Sequence, residues 1–307
     1  MRKDKPRNLV ASVHDRLLKL AGERQEEYHF VLTRYALERL LYRLSQSPHR
    51  DLFVLKGAML FALWSDQRHR PTKDLDLLAR GDKSVGRYEQ LFREVCNQTV
   101  EEDGLAFLTD TLRGMRIRED EEYEGVRVTF QARLGNARIP IQIDIGFGDV
   151  ITPAANVVAY PTLLAFPAPV LSAYPRETVV AEKFQALVGL GMTNTRMKDF
   201  HDVMTLCRQF AFDGALLCQA IRATFERRRT ALPGVPPLAL TAEFYGDDGK
   251  RKQWQAFLRK NKLDAPGTDL EQVVVVLRDF LMPPAQAGAA GQEFGMSWAA
   301  AGPWAPA

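Results

Sequence analysis

Residues 52–78 read LFVLKGAMLFALWSDQRHRPTKDLDLL, and this stretch carries the features that decide the fold. An apolar run ends at a Lys-Gly pair, a segment of Ala, Met and Leu that favours helix follows, and a polar loop leads into residues 74–78. We predict that these last five residues form a short strand. Because side chains alternate across a strand, Asp74 and Asp76 leave one face while the leucines enter the core.

Two carboxylates on one strand face are a candidate metal site. Carboxylates this close repel each other unless a cation lies between them. Mg²⁺ is usually held by one or two carboxylates together with phosphate oxygens, and Mn²⁺ accepts the same ligands. The alternative is an exposed strand edge whose charges only keep the sheet soluble. Short D-x-D motifs arise by chance in many sequences, so Asp74 and Asp76 need support from other residues.

A third carboxylate lies in a predicted hairpin. Residues 123–147 have an apolar period of two around a Gly-Asn turn, which predicts two antiparallel strands with one buried face. Asp144 alternates with isoleucines and therefore faces away from the core. If its strand pairs beside the Asp74 strand, two metal ions can bridge the attacking hydroxyl and the triphosphate of an in-line phosphoryl transfer. The alternative for Asp144 is a solvated hairpin residue.

The Lys56-Gly57 pair is a candidate phosphate site. A glycine between an apolar strand and a helix N-terminus lets the backbone approach phosphate, and the free N–H groups there bind anions. Lys56 can add a point charge for the triphosphate. The competing interpretation is a lysine at a strand end whose charged head lies in water.

Two sequence blocks, VLKGAML at 54–60 and RPTKDLDL at 70–77, resemble the AbiEii/AbiGii toxin family of nucleotidyltransferase-fold proteins. The first motif of that family is a Lys-Gly turn, a helix and an Arg-x-Ser-x-Asp-x-Asp strand, which here begins at Arg70. Thr72 stands where the pattern has Ser and keeps the hydroxyl. Ala58 replaces the small hydroxyl residue or glycine usual after the first glycine, so phosphate contact at Ala58 rests on backbone amides.

The resemblance continues through RETVVAEK at 176–183 and RMKDFHD at 196–202, which look like the later motifs of the family. It covers roughly residues 10–282. Four motifs in order at compatible separations are a specific signal, although each one alone is weak.

The later motifs also have a physical interpretation of their own. Asp199 and Asp202 lie three residues apart with Lys198 adjacent, and such a set can hold base, ribose or phosphate, with Asp199 positioning Lys183. The alternative is a salt-bridge network between helices, which the residues alone favour because charge pairs on helices usually form solvated faces.

The fold that the resemblance implies is α+β, a polymerase-β-like mixed sheet with flanking helices and a helical C-terminal region. We expect N-terminal helices in residues 1–50, the sheet core in 51–160 and the helical region in 161–282. Residues 283–307 are rich in Ala, Gly and Pro, so we expect a disordered tail there.

The predicted site joins these motifs. Asp74, Asp76 and Asp144 are the predicted metal ligands, and Asp144 also takes the proton of the acceptor hydroxyl. The predicted catalytic residues add Lys56, Lys183 and Asp199 to these three. The predicted nucleotide-binding residues are Lys56, Gly57, Ala58, Arg70, Thr72, Lys183, Lys198 and Asp202.

The predicted reaction moves a nucleoside monophosphate from an NTP to an acceptor, with Mg²⁺ or Mn²⁺ as cofactor and pyrophosphate as the second product. The resemblance further implies a toxin of a toxin–antitoxin or phage-defence system, with tRNA as the acceptor that it suggests and a separately encoded antitoxin as partner. Three alternatives stay open: a protein acceptor, an NTP-binding module without catalysis, and a metal-dependent phosphohydrolase.

The composition excludes several other classes. The 307 residues carry a formal net charge of +3, and the three cysteines contain no C-x-x-C pair, so neither a zinc site nor a disulfide framework is indicated. No apolar run approaches the about 20 residues that span a bilayer, and the N-terminus lacks the apolar core of a signal peptide. We therefore expect a cytoplasmic protein with no membrane partner.

Basic clusters at 227–229, 250–252 and 259–262 are candidates for an acceptor surface. Trp254 and Phe257 lie between the last two clusters, and basic residues interleaved with aromatics can track a nucleic-acid backbone and stack a base. The competing interpretation, which the sequence favours, is an amphipathic helix with a core tryptophan and solvated lysines.

Overall fold

A computed structural model of the chain describes residues 8–65, 69–120, 123–263 and 269–307. The chain divides into two compact units. Residues 1–148 and 156–173 form the first unit, and residues 149–155 and 174–307 form the second.

The first unit combines helices with one mixed sheet. Its helices are α1 (Leu9–Glu23), α2 (Tyr28–Gln46), α3 (Phe61–Trp64) and α4 (Val85–Cys96). Its strands are β1 (Phe53–Lys56), β2 (Leu75–Ala79), β3 (Leu105–Asp120), β4 (Tyr123–Leu134), β5 (Ala137–Phe147), β6 (Asn156–Ala159) and β7 (Val170–Ala173).

The seven strands run in the order β3-β4-β5-β2-β1-β7-β6. The pairs β2–β5 and β1–β7 are parallel and the others are antiparallel. The predicted hairpin is confirmed, because β4 and β5 pair around the turn with Leu134 opposite Ala137. The predicted position of β5 beside the Asp74 strand is also confirmed, because β2 and β5 are neighbours.

The sheet extends beyond the expected sheet core. Strands β6 and β7 extend it to residue 173, because β7 pairs with β1. Strands β6 and β7 have only four residues each, which is too short for a periodic signal in the sequence. The long strand β3 was not predicted either. Its pairing with β4 shifts register between Leu108 and Arg113, where β3 has three more residues than β4, and this irregularity breaks the alternation of apolar and polar side chains.

A buried ion cluster lies between α2 and the turn before β3. Arg43 donates from both Nη atoms to the carboxylate of Asp103, at 2.6 and 3.1 Å, and Arg39 Nε lies 3.4 Å from the same carboxylate. Arg39 also contacts Glu38 at 3.3 Å and donates to the carbonyl of Pro167 at 2.9 Å. The other oxygen of Glu38 accepts the Leu163 N–H at 2.7 Å, so the cluster ties the segment before β7 to α2.

Stability is expected to depend on pH through Glu38. Burial raises the pKa of Glu38 from its usual 4.5 to about 7, against the opposing effects of the Leu163 N–H and Arg39. A carboxyl with a raised pKa binds more protons in the folded state, so the free energy of unfolding should fall as pH rises from 4.5 to 7. The expected loss is about 3 kcal/mol in total.

Urea unfolding of wild type and Glu38→Gln between pH 4.5 and 7.5 measures this contribution. The variant should lack that part of the pH dependence, because glutamine does not titrate. Glu23→Gln, on the exposed end of α1, should keep the wild-type slope. Parallel curves for wild type and Glu38→Gln would contradict the assignment.

The second unit is mainly helical. Its helices are α5 (Arg176–Leu190), α6 (Met197–Gln209), α7 (Gly214–Arg227), α8 (Ala242–Gly246), α9 (Asp248–Asn261) and α10 (Leu270–Ala289). Three of them begin at an aspartate whose side chain accepts a backbone N–H of the first turn, which stabilises a helix start. These N-caps are Asp213, Asp247 and Asp269.

Residues 283–307 differ from the expected disordered tail. Helix α10 continues to Ala289, and strands β9 (Met296–Trp298) and β10 (Trp304–Pro306) form a small sheet with β8 (Phe212–Asp213). Trp298 is 3% exposed and its indole N–H donates to the Cys207 carbonyl at 2.7 Å. Trp304 stacks on Phe280 with ring centroids 5.8 Å apart. The packing of these two large aromatic side chains, of which Trp298 is buried and Trp304 half-buried, outweighs the flexible composition around them.

Among the residues that the structure describes, every helix is either too short or too polar to cross a bilayer.

Candidate metal and nucleotide site

The first unit brings the three predicted carboxylates together. One oxygen from each of Asp74, Asp76 and Asp144 lies within 4.8 Å of the corresponding oxygens of the other two. Asp76 and Asp144 are directly opposite each other in the parallel pair β2–β5, and Asp74 comes immediately before β2. The buried neighbours Leu75 and Leu77 hold this strand in the core, so the aspartates face the other way.

This donor set fits a hard divalent cation. Carboxylate oxygens are the ligands that Mg²⁺ and Mn²⁺ prefer, and three of them leave coordination positions for phosphate oxygens and water. The alternatives of a soluble strand edge and a solvated hairpin residue do not fit, because β2 lies inside the sheet and Asp144 is buried.

Four charged residues form one row across four neighbouring strands. In the register of the sheet, Lys56 on β1 is opposite Asp76 on β2, Asp76 is opposite Asp144 on β5, and Asp144 is opposite Arg127 on β4. Residues that lie opposite each other in adjacent strands share a face of the sheet. The two carboxylates are therefore flanked by a lysine and an arginine.

Lys56 lies at the end of β1 and is only 7% exposed. This burial contradicts the interpretation of a strand-end lysine with its head in water. Its place opposite Asp76 puts a positive charge in the row that holds two of the candidate metal ligands. Contact with a triphosphate stays a prediction.

Gly57 lets Asp76 lie against the backbone. Its φ is +76°, which is unfavourable for residues with a side chain, and a Cβ built on it would lie 1.9 Å from Asp76 Oδ2. The absence of a side chain at Gly57 therefore lets Asp76, a candidate metal ligand, lie close to the backbone. The predicted helix after it is a 3₁₀ turn (Ala58–Leu60) followed by α3, which has four residues, so its dipole is small.

The motif around Asp74 is held by Thr72, whose hydroxyl donates to Asp74 Oδ1. This bond gives a physical reason for the hydroxyl that the resemblance expected at position 72. Arg70 is half-buried and Ala58 is buried. The predicted contacts of these residues with nucleotide stay predictions.

Arg127 is the residue of the candidate site that was not predicted from the sequence. Its Nε donates to Asp144 Oδ1 and its Nη2 to Asp144 Oδ2, both at 2.7 Å, and this bonding raises the pKa of Arg127. Gln142 Nε2 donates to the same Oδ2 at 3.2 Å. The sequence held a signal for Arg127, because a two-residue turn sets the register of a hairpin. Leu134 is opposite Ala137 at the turn, and residues equally far from the turn on the two strands are opposite each other, so Arg127 is opposite Asp144.

The later motifs form a separate ion cluster inside the second unit. Lys183 Nζ on α5 lies 2.7 Å from Asp199 Oδ1 and 2.8 Å from Asp202 Oδ2, both on α6. Arg196 Nε lies 2.7 Å from Asp199 Oδ2. Burial raises the pKa of Asp199, but Lys183 and Arg196 outweigh that effect, so the pKa lies below its ordinary value.

The structure therefore shows salt bridges between helices, which was the alternative interpretation of this cluster. Lys183 donates to Asp199, and Lys198 is exposed. A role of Lys183, Lys198, Asp199 or Asp202 in nucleotide contact stays a prediction.

Helix α9 has the core tryptophan that the sequence favoured. Trp254 is 2% exposed and stacks on Phe257 with ring centroids 5.6 Å apart, so it is not available to stack a base. Lys250 is also buried and donates to the Asn194 carbonyl at 2.8 Å. The exposed basic residues of this helix are Arg251, Lys252, Arg259 and Lys260.

Two crystal structures of Helicobacter pylori proteins resemble this chain. One is JHP933, which shares 16% sequence identity at a TM-score of 0.45 over 83% of this chain and 90% of that protein. The other is provisionally assigned as a nucleotidyltransferase and shares 16% identity at a TM-score of 0.46 over 85% of this chain and 95% of that protein. No curated protein matches the sequence.

A family model gives the match that decides the family. The model described as nucleotidyl transferase AbiEii toxin, type IV toxin–antitoxin system, matches residues 39–276, which is more than half of the chain. The matched range contains Lys56, Gly57 and the three aspartates of the candidate site. The chain therefore belongs to the AbiEii nucleotidyl transferase toxin family.

Proposed function

We propose that this chain is a metal-dependent nucleotidyltransferase that moves a nucleoside monophosphate from an NTP to a hydroxyl of RNA, with tRNA as the acceptor. The observation that carries the proposal is the meeting of Asp74, Asp76 and Asp144 on one face, with an oxygen of each within 4.8 Å of the others. Three carboxylates supply what a divalent ion needs in order to hold a triphosphate for in-line transfer. The family match supports the reaction type.

Each residue of the first unit has a proposed role. Asp74 and Asp76 hold Mg²⁺ or Mn²⁺, and Thr72 fixes the orientation of Asp74. Asp144 completes the metal site and takes the proton of the acceptor hydroxyl. A divalent ion held by these residues would supply positive charge for the triphosphate and for the pyrophosphate that leaves. Lys56 adds a fixed positive charge on the same face of the sheet.

The role of the second unit is proposed from the family resemblance. We propose that Lys183 contacts the triphosphate and that Asp199 and Asp202 keep its ammonium group in place. The observed support is the pair of short bonds from Lys183 to these buried carboxylates. We place the protein in the cytoplasm, which supplies both NTP and RNA. We also propose an antitoxin as its partner, because the family belongs to a toxin–antitoxin system.

Labelling of RNA tests the proposed reaction. Each of the four labelled NTPs is incubated with Mg²⁺, total RNA, and either wild type, Asp74→Asn or the control Asp82→Asn, which removes an exposed aspartate of the same unit. Wild type and the control should label RNA. Asp74→Asn should lose at least about 1,000-fold in rate, because a metal ligand is lost. Equal labelling by wild type and Asp74→Asn would overturn the proposal.

The same incubation separates the alternatives when lysate protein replaces RNA. Label in protein and none in RNA would show a protein acceptor. Release of phosphate without a labelled acceptor would show a phosphohydrolase. Binding of NTP without release of pyrophosphate would show a non-catalytic module.

A further inference from the structure

Arg127 is bound to one of the three carboxylates of the candidate metal site. The planar guanidinium meets Asp144 with two parallel bonds of 2.7 Å, which is the geometry that fixes an arginine–carboxylate pair most firmly. The side chain of Arg127 is 34% exposed and that of Asp144 is 11% exposed. Asp144 is therefore largely removed from solvent and Arg127 partly so, and charges in such a place act on each other more strongly than in water.

The charge of Arg127 opposes a metal ion. An arginine stays charged at every pH at which proteins are folded, so this guanidinium is a permanent positive charge beside the cluster. A divalent ion that approaches the three aspartates is attracted by them and repelled by Arg127. To coordinate Asp144 on the side where its two carboxylate oxygens accept from Arg127, the ion must also displace the guanidinium.

We propose that Arg127 is a positioning residue that holds Asp144 in place and lowers the affinity of the free protein for divalent metal. The inference rests on the proposed function, because it takes the three aspartates as the metal ligands. Arg127 acts as an internal counter-ion, which a divalent ion has to overcome. The free protein therefore holds divalent metal weakly.

A purely structural role predicts the opposite effect. If Arg127 only kept Asp144 oriented, its removal would loosen a ligand and weaken metal binding. If Arg127 is a counter-ion, its removal strengthens metal binding, because Asp144 stays anchored in β5 between two strands and keeps the bond from Gln142. The sign of the change in affinity separates the two roles.

Titration of the nucleotide-free protein with Mn²⁺, with free Mn²⁺ followed by electron paramagnetic resonance, measures this affinity. Arg127→Met should bind Mn²⁺ roughly tenfold more tightly than wild type, because a positive charge beside the ion is gone. Arg127→Lys keeps the charge and should stay near wild type.

Arg133→Met is the matched control. Arg133 lies on the same strand and the same face, about 20 Å along β4, and faces Arg138 instead of a carboxylate. It should bind Mn²⁺ as wild type does. If Arg127→Met fails to fold by circular dichroism, Arg127→Gln carries the same prediction with a polar side chain.

The outcomes separate this inference from the proposed function. Suppose that Asp76→Asn abolishes Mn²⁺ binding and that Arg127→Met binds Mn²⁺ no more tightly than wild type. That result would overturn the counter-ion role and leave the metal site supported. Binding that Asp76→Asn does not reduce would overturn the metal site itself. If Arg127→Met binds Mn²⁺ more tightly than wild type, and the double variant with Asp76→Asn does not bind it, both the counter-ion role and the metal site are supported.

Discussion

Replacement of Gly57 by alanine is expected to reduce nucleotidyl transfer by at least about 100-fold. The added methyl group would lie 1.9 Å from Asp76 Oδ2 and 2.6 Å from Asp76 Cβ, so the Asp76 side chain has to move. In the proposed function Asp76 is a metal ligand, and a ligand that moves by this much would no longer hold metal and triphosphate in line for transfer. The substitution also places a side chain at a φ of +76°, which adds backbone strain.

Rates of RNA labelling and Mn²⁺ affinity, measured together, test this expectation. Both should fall in Gly57→Ala. The control is Gly291→Ala, which has a similar φ of +67° but no atom within 4 Å of the added methyl group. It carries the strain without the collision and should keep the wild-type rate. A Gly57→Ala protein that is folded and fully active would show that Asp76 does not need its observed position.

Removal of Asp103 is expected to destabilise the first unit by about 3–5 kcal/mol. Asp103 is 1% exposed, and its carboxylate is the shared partner of Arg39 and Arg43. Asp103→Ala would leave two guanidinium groups buried with much of their charge uncompensated. Asp103 also accepts the Leu105 N–H, so the start of β3 loses a bond as well.

Urea unfolding at pH 7 of Asp103→Ala and of the control Asp51→Ala measures the effect. Asp51 is paired with Arg50 on the surface and its side chain is 84% exposed, so its removal should change stability by less than about 1 kcal/mol. Similar losses in the two variants would show that the buried cluster contributes no more than a surface ion pair. The buried position of Asp103 predicts a clear difference.

The carboxylate site was the part of this protein that the sequence predicted best. The alternation of Asp74 and Asp76 with leucines placed both aspartates on one face, and the isoleucines around Asp144 placed it opposite the buried face. Both inferences need only the period of two of a strand. Their meeting depends on the pairing of β2 with β5, which is a long-range contact that the structure shows.

Other features lay outside the local pattern. The Trp residues of the C-terminal segment lie in a stretch of Ala, Gly and Pro whose composition indicates disorder, and only their packing against Phe280 and Cys207 orders it. Arg39 and Arg43 lie in the predicted N-terminal helices, and only their contact with Asp103 makes them part of a buried ion cluster. In both cases the deciding contact joins residues far apart in the chain.

The local pattern of residues was enough to predict strands β2, β4 and β5, the hairpin turn, the shared direction of Asp74 and Asp76 and the family motifs, because each depends on neighbours in sequence. The tertiary structure decided the order of the strands, and that order placed Lys56, Asp76, Asp144 and Arg127 in one row. It also decided why position 57 is glycine: a side chain there would collide with Asp76, which is distant in the chain but adjacent in the sheet.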